Sequence, residues 1–174
     1  PDGSLSTHAI YGSGRMYNMC YKVAYEKNAQ KLHDALVDFG FHGILYNDVY
    51  SIVPPTVCDD PDHPVNSKEA QMWGCKTLED GARKLGGIAS EGGYDHFASI
   101  LDYSLYAIFS DSYENVNVKP MRDAYIPLWH IVYNGTILSC PISTCVNYTV
   151  KDQTVTMKQL EYGGHPTFYF YSAH

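Results

Sequence analysis

The sequence predicts an α/β protein of the (β/α)-barrel type, read as the C-terminal half of a TIM barrel with parallel strands. Three observations lead there. Two short apolar runs, each opened by glycine and each ending in a carboxylate, read as buried strands: Gly43-Ile44-Leu45-Tyr46-Asn47-Asp48-Val49 and Gly87-Ile88-Ala89-Ser90-Glu91-Gly92-Gly93. One amphipathic helix lies between them, which gives a strand, helix, strand unit with a right-handed crossover and a parallel pair. The whole chain offers about four such strands and three helices, whereas a complete barrel needs eight strands and about 250 residues.

Taken in order, residues 1–14 are rich in Gly and Ser and predict a loop. Arg15 to Val23 predicts a short strand that turns Tyr and Met toward a core. Ala24 to Phe39 predicts a helix with Ala24 or Tyr25, Ala29, Leu32, Leu36 and Phe39 on one face and Gly40 as its stop. The first acid-bearing strand follows, and then a long polar loop from Tyr50 to Pro64 on the side where a barrel places its site.

Asn66-Ser67-Lys68-Glu69 is a capping box for the crossover helix. The apolar face of that helix takes Ala70, Trp73, Leu78, Ala82 and Leu85, and Gly86 ends it before the second acid-bearing strand. Ser104 to Phe109 predicts a further strand, Ser110 to Arg122 a polar loop, and Ile126 to Tyr133 a third buried strand with Pro127 near its start. On that strand Trp129 and His130 point to opposite faces. Asp152 is the expected N-cap of a helix ending near Tyr162-Gly163-Gly164, and His165 to Tyr171 closes the chain as an aromatic strand.

At 174 residues the chain is read as a single domain or as part of a barrel domain. A net charge of −7 with no basic cluster excludes nucleic acid as the expected partner. No run of 18 or more apolar residues exists, so no membrane span is expected. There is no signal peptide in the chain, which begins at Pro1 and so reads as a processed or excised piece; a secreted or cell-surface location is favoured over a cytoplasmic one. Five cysteines (Cys20, Cys58, Cys75, Cys140, Cys145) without a C-x-x-C spacing argue against a zinc ribbon. Sixteen tyrosines give amphipathic rings suited to a polar ligand with apolar faces, such as a sugar.

Asp48 and Glu91 fall at the same end of neighbouring parallel strands, where such folds place their chemistry. Two carboxylates in that position point to acid/base or nucleophilic work, and a glycoside hydrolase is the commonest enzyme built on such a pair. Tyr46, Asn47, His63, Tyr94, Asp95, His96, Trp129 and His130 are the candidates for holding sugar hydroxyls and ring faces. The glycines after Glu91 let backbone and ligand approach closely. Asp59, Asp60, Asp62 and His63 raise a hard-cation reading, but the run lacks the glycine and distal Glu of an EF-hand loop, so no metal or cofactor is expected and a solvated acidic turn or substrate loop is preferred.

The order Tyr46-Asn47-Asp48-Val49, Asp62-His63-Pro64, Ala89-Ser90-Glu91-Gly92-Gly93, Leu101-Asp102-Tyr103 and Gln159-Leu160-Glu161-Tyr162-Gly163 resembles a bacterial family known only as a domain of unknown function. That family is similar to the endo-α-N-acetylgalactosaminidases, retaining glycosidases with a β/α barrel. The resemblance covers most of residues 16–171 and implies Asp48 as nucleophile and Glu91 as general acid/base. It also implies a carbohydrate substrate and, since the early barrel strands are absent, a missing N-terminal half or a dimer partner. Two alternatives stay open: a non-catalytic carbohydrate-binding domain, and a metal-dependent hydrolase using Asp62, His63 and His96 together with Asp48 and Glu91.

Overall fold

The computed structural model describes residues 4–12, 14–107, 126–140, 154–168 and 170. Residues 1–45 and 53–87 form one compact unit, and residues 46–52 and 88–174 form a second.

The first unit opens with an antiparallel hairpin, β1 (Thr7–Tyr11) and β2 (Gly14–Tyr17). The expected opening loop is therefore partly a strand, and the expected strand from Arg15 stops at Tyr17. A continuous helical stretch follows: α1 (Tyr21–Val23), a π-helical segment (Ala24–Ala29) and α2 (Gln30–Asp38). The π segment carries more residues per turn than an α-helix, so it breaks the phase linking Ala24 or Tyr25 to Leu32, Leu36 and Phe39. As a result Leu32 and Phe39 are exposed, and the buried residue of α2 is His33.

The buried side of this unit is thus partly ionic. The His33 Nδ1 lies 2.9 Å from Asp80 Oδ2 on α3 (Ser67–Leu85), and Lys84 Nζ bridges Asp80 at 3.0 Å and Asp34 at 2.6 Å. Arg83 binds the other Asp80 oxygen. Burial disfavours the Asp80 charge, but His33, Lys84 and Arg83 together outweigh that cost and hold its carboxyl below the usual range.

The start of α3 is as the sequence predicts: Asn66 Oδ1 accepts from Glu69 N at 3.0 Å, and Glu69 Oε2 accepts from Asn66 N at 2.9 Å. Gly86, with φ +108°, ends the helix in a left-handed conformation and leads into β4 (Gly86–Glu91).

Strands β3 (Gly43–Asn47) and β4 run from the first unit into the second, where the sheet has the order β3-β4-β5-β6. β5 (Tyr103–Leu105) pairs parallel with β4 and with β6 (Leu138–Ser139). β4 is buried along most of its length, with Ile88, Ala89 and Ser90 inaccessible. β3 is not buried as expected: it is the sheet's edge strand, and Ile44 and Tyr46 are exposed.

Three other expectations are corrected. Ile126–Tyr133 is not a strand: Leu128–Tyr133 forms a short helix, α4. A brief apolar run cannot by itself distinguish a buried strand from a buried helical turn. Trp129 and His130 are both buried on this helix. The aromatic segment from His165 forms no strand in its described part, 165–168. β6 lies between Tyr133 and Asp152, where the sequence predicts no strand. Helix α5 (Thr154–Glu161) ends just before Tyr162-Gly163 as expected, while Asp152, Cys145, the last two residues of the strand expected over Ser104–Phe109, and the loop Ser110–Arg122 lie outside the described residues.

Candidate active site

The site is built on the ends of β3 and β4 within the second unit. A buried row of serines crosses the sheet: Ser90 on β4 is in register with Ser104 on β5, and Ser104 with Ser139 on β6. The Ser90 hydroxyl donates to the Asn47 carbonyl at 2.6 Å and accepts from the Ser51 amide at 3.1 Å. The Ser51 hydroxyl lies 2.7 Å from both the Glu91 and Gly92 carbonyl oxygens, and Ser104 Oγ donates to Gly92 O at 2.8 Å. Gly92 N in turn donates to Leu105 O at 2.6 Å. Each such buried hydrogen bond contributes about 1 kcal/mol net, and leaving a partner unpaired costs more. The network fixes the turn that carries Asp48 against the strand end that carries Glu91.

Backbone strain collects at the same place. Val49, directly after Asp48, has φ +54°, and so does Tyr106, directly after β5. A β-branched residue in the left-handed region is costly, and such outliers persist only where surrounding contacts impose them. Gly92 has φ +82°, and a Cβ there would stand 2.7 Å from Ile52 Cβ. A Cβ on Gly93 would stand 2.9 Å from the Trp129 ring. The glycines after Glu91 therefore serve close packing of the turn and of an indole.

Asp48 is exposed, and the Tyr46 hydroxyl donates to its Oδ1 at 2.9 Å. Glu91 is half-buried. Burial raises the pKa of its carboxyl, and the negative charge of Asp48 raises it further. The pair therefore has the asymmetry of one acid held protonated to higher pH beside a second, solvated carboxylate.

The remaining expected residues are placed as follows. Asn47 contributes its backbone carbonyl to the Ser90 bond. Tyr94 is exposed and stacks on His96 at 5.7 Å between ring centroids, and His96 also packs on the buried Phe97. Burial lowers the His96 pKa, with Asp95 opposing the shift. Asp95 is exposed and, with Gly93, Trp129 and Tyr133, lines a cavity of about 380 Å³ whose other walls are apolar. Trp129 is almost wholly buried, and its Nε1 has no hydrogen-bond partner among the described residues.

His130 is buried against Tyr162, neither ring nitrogen has a hydrogen-bond partner among the described residues, and burial lowers its pKa. His63 belongs to the first unit, where its Nδ1 lies 3.3 Å from Cys58 Sγ and its Nε2 3.5 Å from Asp60 Oδ2. Asp59, Asp60 and Asp62 are exposed, in keeping with a solvated acidic turn. Among the described residues of the second unit, no three His, Cys, Asp or Glu donors converge as a metal site would require.

The serine row is the part of the site that motif reasoning overlooked. Its sequence signal is a hydroxyl set inside an apolar strand, as in Ile88-Ala89-Ser90, where a buried polar group demands a partner.

No protein-family model matches the chain, and no curated relative matches it in sequence. Solved structures do match its fold. The quadruple mutant of the α-N-acetylgalactosaminidase NagBb from Bifidobacterium bifidum aligns with TM-score 0.78 at 19% identity, over 95% of this chain and 26% of that one. The GalNAc complex of the same enzyme gives 0.77 at 19% over 99% and 27%, and its ligand-free form 0.75 at 19% over 99% and 28%. The chain thus spans 26% to 28% of the length of these structures. The fold of this chain is an α/β fold with a parallel sheet that resembles part of a glycoside hydrolase, an α-N-acetylgalactosaminidase.

Proposed function

We propose that the chain is the C-terminal half of a β/α barrel and carries the catalytic pair of a retaining glycoside hydrolase. The observation that carries this reading is the pairing of Glu91, its pKa raised by burial and by the charge of Asp48, with Asp48 on the adjoining strand end. Asp48 attacks the anomeric carbon while the Glu91 carboxylic acid protonates the departing glycosidic oxygen. A water molecule then gives its proton to Glu91 and hydrolyses the glycosyl ester on Asp48. Tyr46 orients the Asp48 carboxylate through its hydroxyl. This chemistry needs no cofactor. The fold likeness to an α-N-acetylgalactosaminidase makes an α-linked N-acetylgalactosaminide the substrate class of first choice.

The exposed edge strand β3 supports a missing partner. Ile44 and Tyr46 lie open where a preceding barrel strand, from the same polypeptide or from a second copy, would pair and cover them. The test uses a polypeptide that supplies the remaining strands and an aryl α-N-acetylgalactosaminide. Asp48→Asn and Glu91→Gln should each lower turnover by about a hundredfold or more. Ordinary turnover in both variants removes the reading, and sugar binding without hydrolysis in the parent moves the carbohydrate-binding alternative ahead.

A further inference from the structure

We propose that the first unit holds a zinc-class metal ion on Cys20, Cys58 and His63. The donors come from two separate segments. Cys20 immediately precedes α1, and its carbonyl accepts from Ala24 N at 2.8 Å. Cys58 and His63 sit on one loop that is closed by paired hydrogen bonds, Cys58 N to Val65 O at 2.8 Å and Val65 N to Cys58 O at 2.9 Å, with Val65 buried beneath it. The loop is tightened further by His63 N donating to Asp60 O at 3.2 Å and Asp62 N to Asp60 Oδ1 at 2.9 Å.

The two thiol sulfurs and one imidazole nitrogen all lie within 4.8 Å of one another. A tetrahedral ion at the usual Zn–S and Zn–N lengths sets its donors about 3.6 Å (S to N) and about 3.8 Å (S to S) apart. The Cys58 Sγ to His63 Nδ1 separation is 3.3 Å, within a few tenths of an ångström of what an ion shared by that pair requires.

The far side of the imidazole carries an independent mark. His63 Nε2 lies 3.5 Å from Asp60 Oδ2, longer than a hydrogen bond but on the side from which a carboxylate orients a metal-ligating histidine. Two soft sulfurs and one imidazole select Zn²⁺ or a similar borderline ion over Ca²⁺ or Mg²⁺. The thiols lose their protons to solvent on binding. Three protein donors leave a fourth position for water, and the ion ties the 58–65 loop to the start of the helical stretch.

The test is a Co²⁺ titration of the reduced full chain. The expected result is one equivalent bound, with a thiolate-to-cobalt charge-transfer band and the strong visible bands of a tetrahedral site, both erased by added Zn²⁺. Cys20→Ser and Cys58→Ser should each reduce the charge-transfer intensity, and the double variant should lose it. Cys75→Ser, on α3 and outside the cluster, should leave it intact. Asp60→Asn should keep the spectrum while weakening affinity about ten- to a hundredfold. Zn²⁺ should also raise the melting temperature of the parent but not of the double variant. A reduced parent without a charge-transfer band, a band that survives the double substitution, or a metal-free protein isolated with a Cys20–Cys58 disulfide overturns the proposal. Unchanged affinity in Asp60→Asn overturns the role given to Asp60.

Discussion

The Ser90 hydroxyl donates to the Asn47 carbonyl at 2.6 Å, joining the residue before Glu91 to the residue before Asp48. One buried hydrogen bond therefore sets the spacing of the two strand ends that carry the acids. Ser90→Ala leaves the Asn47 carbonyl and the Ser51 amide without this partner, at a cost of about 1–3 kcal/mol. Urea unfolding should show the midpoint falling with an unchanged slope.

The half-buried carboxyl of Glu91 also bears on stability. Its folded pKa lies above its unfolded value, so the native state binds the extra proton. Stability is therefore full below the unfolded value of about 4.3 and is lost as pH rises through the folded pKa. Glu91→Gln removes that penalty. The variant should match the parent in acid and exceed it in stability at neutral pH, as measured by unfolding at several pH values, while turnover falls.

Gly92→Ala should be severe for a residue this small. The new Cβ meets Ile52 and the backbone has φ +82°, so overpacking and strain combine to cost roughly 2–4 kcal/mol. Ile52→Gly in the same chain removes the Ile52 Cβ that stands 2.7 Å from the new group but leaves the strained φ, and the double variant should recover part of the loss. A purely additive pair, read from denaturant midpoints, would show that the contact carries no weight.

In the first unit Asp80 is held ionised by His33, Lys84 and Arg83, so its folded pKa is depressed. Its contribution is complete above the unfolded value of about 3.9 and is lost as pH falls through the folded pKa. Asp80→Ala leaves the buried His33 ring without its carboxylate partner and takes one of the two carboxylates from Lys84, and should cost about 1–3 kcal/mol at neutral pH. Its stability should also fall less steeply in acid than that of the parent, which equilibrium unfolding at pH 3 and pH 7 will measure.

His130 carries the opposite signature. It is buried and neutral with a lowered pKa, so the unfolded chain takes up a proton first as pH drops below about 6.5, and stability falls over that window until the folded pKa is passed. His130→Phe keeps a ring against Tyr162 and removes two buried nitrogens that have no hydrogen-bond partner among the described residues. The melting temperature should hold or rise, and its dependence on pH between 5 and 7 should flatten.

Local signals in the sequence were strong where one mechanism acts alone. The Asn66–Glu69 capping box and the terminal Gly86 depend on hydrogen bonding within a few residues, and both stand as read. β4 is also legible, since a fully buried parallel strand needs nothing but an apolar run. The misreadings arise where distant residues decide. Leu128–Tyr133 carries an apolar run compatible with either strand or helix, and packing chose helix. Leu32 and Phe39 lost their place on the buried face because a π segment shifted the helical phase, which periodicity at 3.6 residues cannot reveal. The strand-end positions of Asp48 and Glu91 are legible in the sequence, whereas the serines that link those strand ends depend on pairing across β3, β4 and β5.

The central claim is that Asp48 and Glu91 act as a coupled pair, and the most direct measurement is the titration of the Glu91 side-chain carboxyl carbon by NMR in the parent and in Asp48→Asn. The account predicts a Glu91 pKa above the ordinary glutamate value in the parent and a lower one once Asp48 is neutral, with the part due to burial remaining. An ordinary Glu91 pKa that does not respond to Asp48→Asn would contradict it.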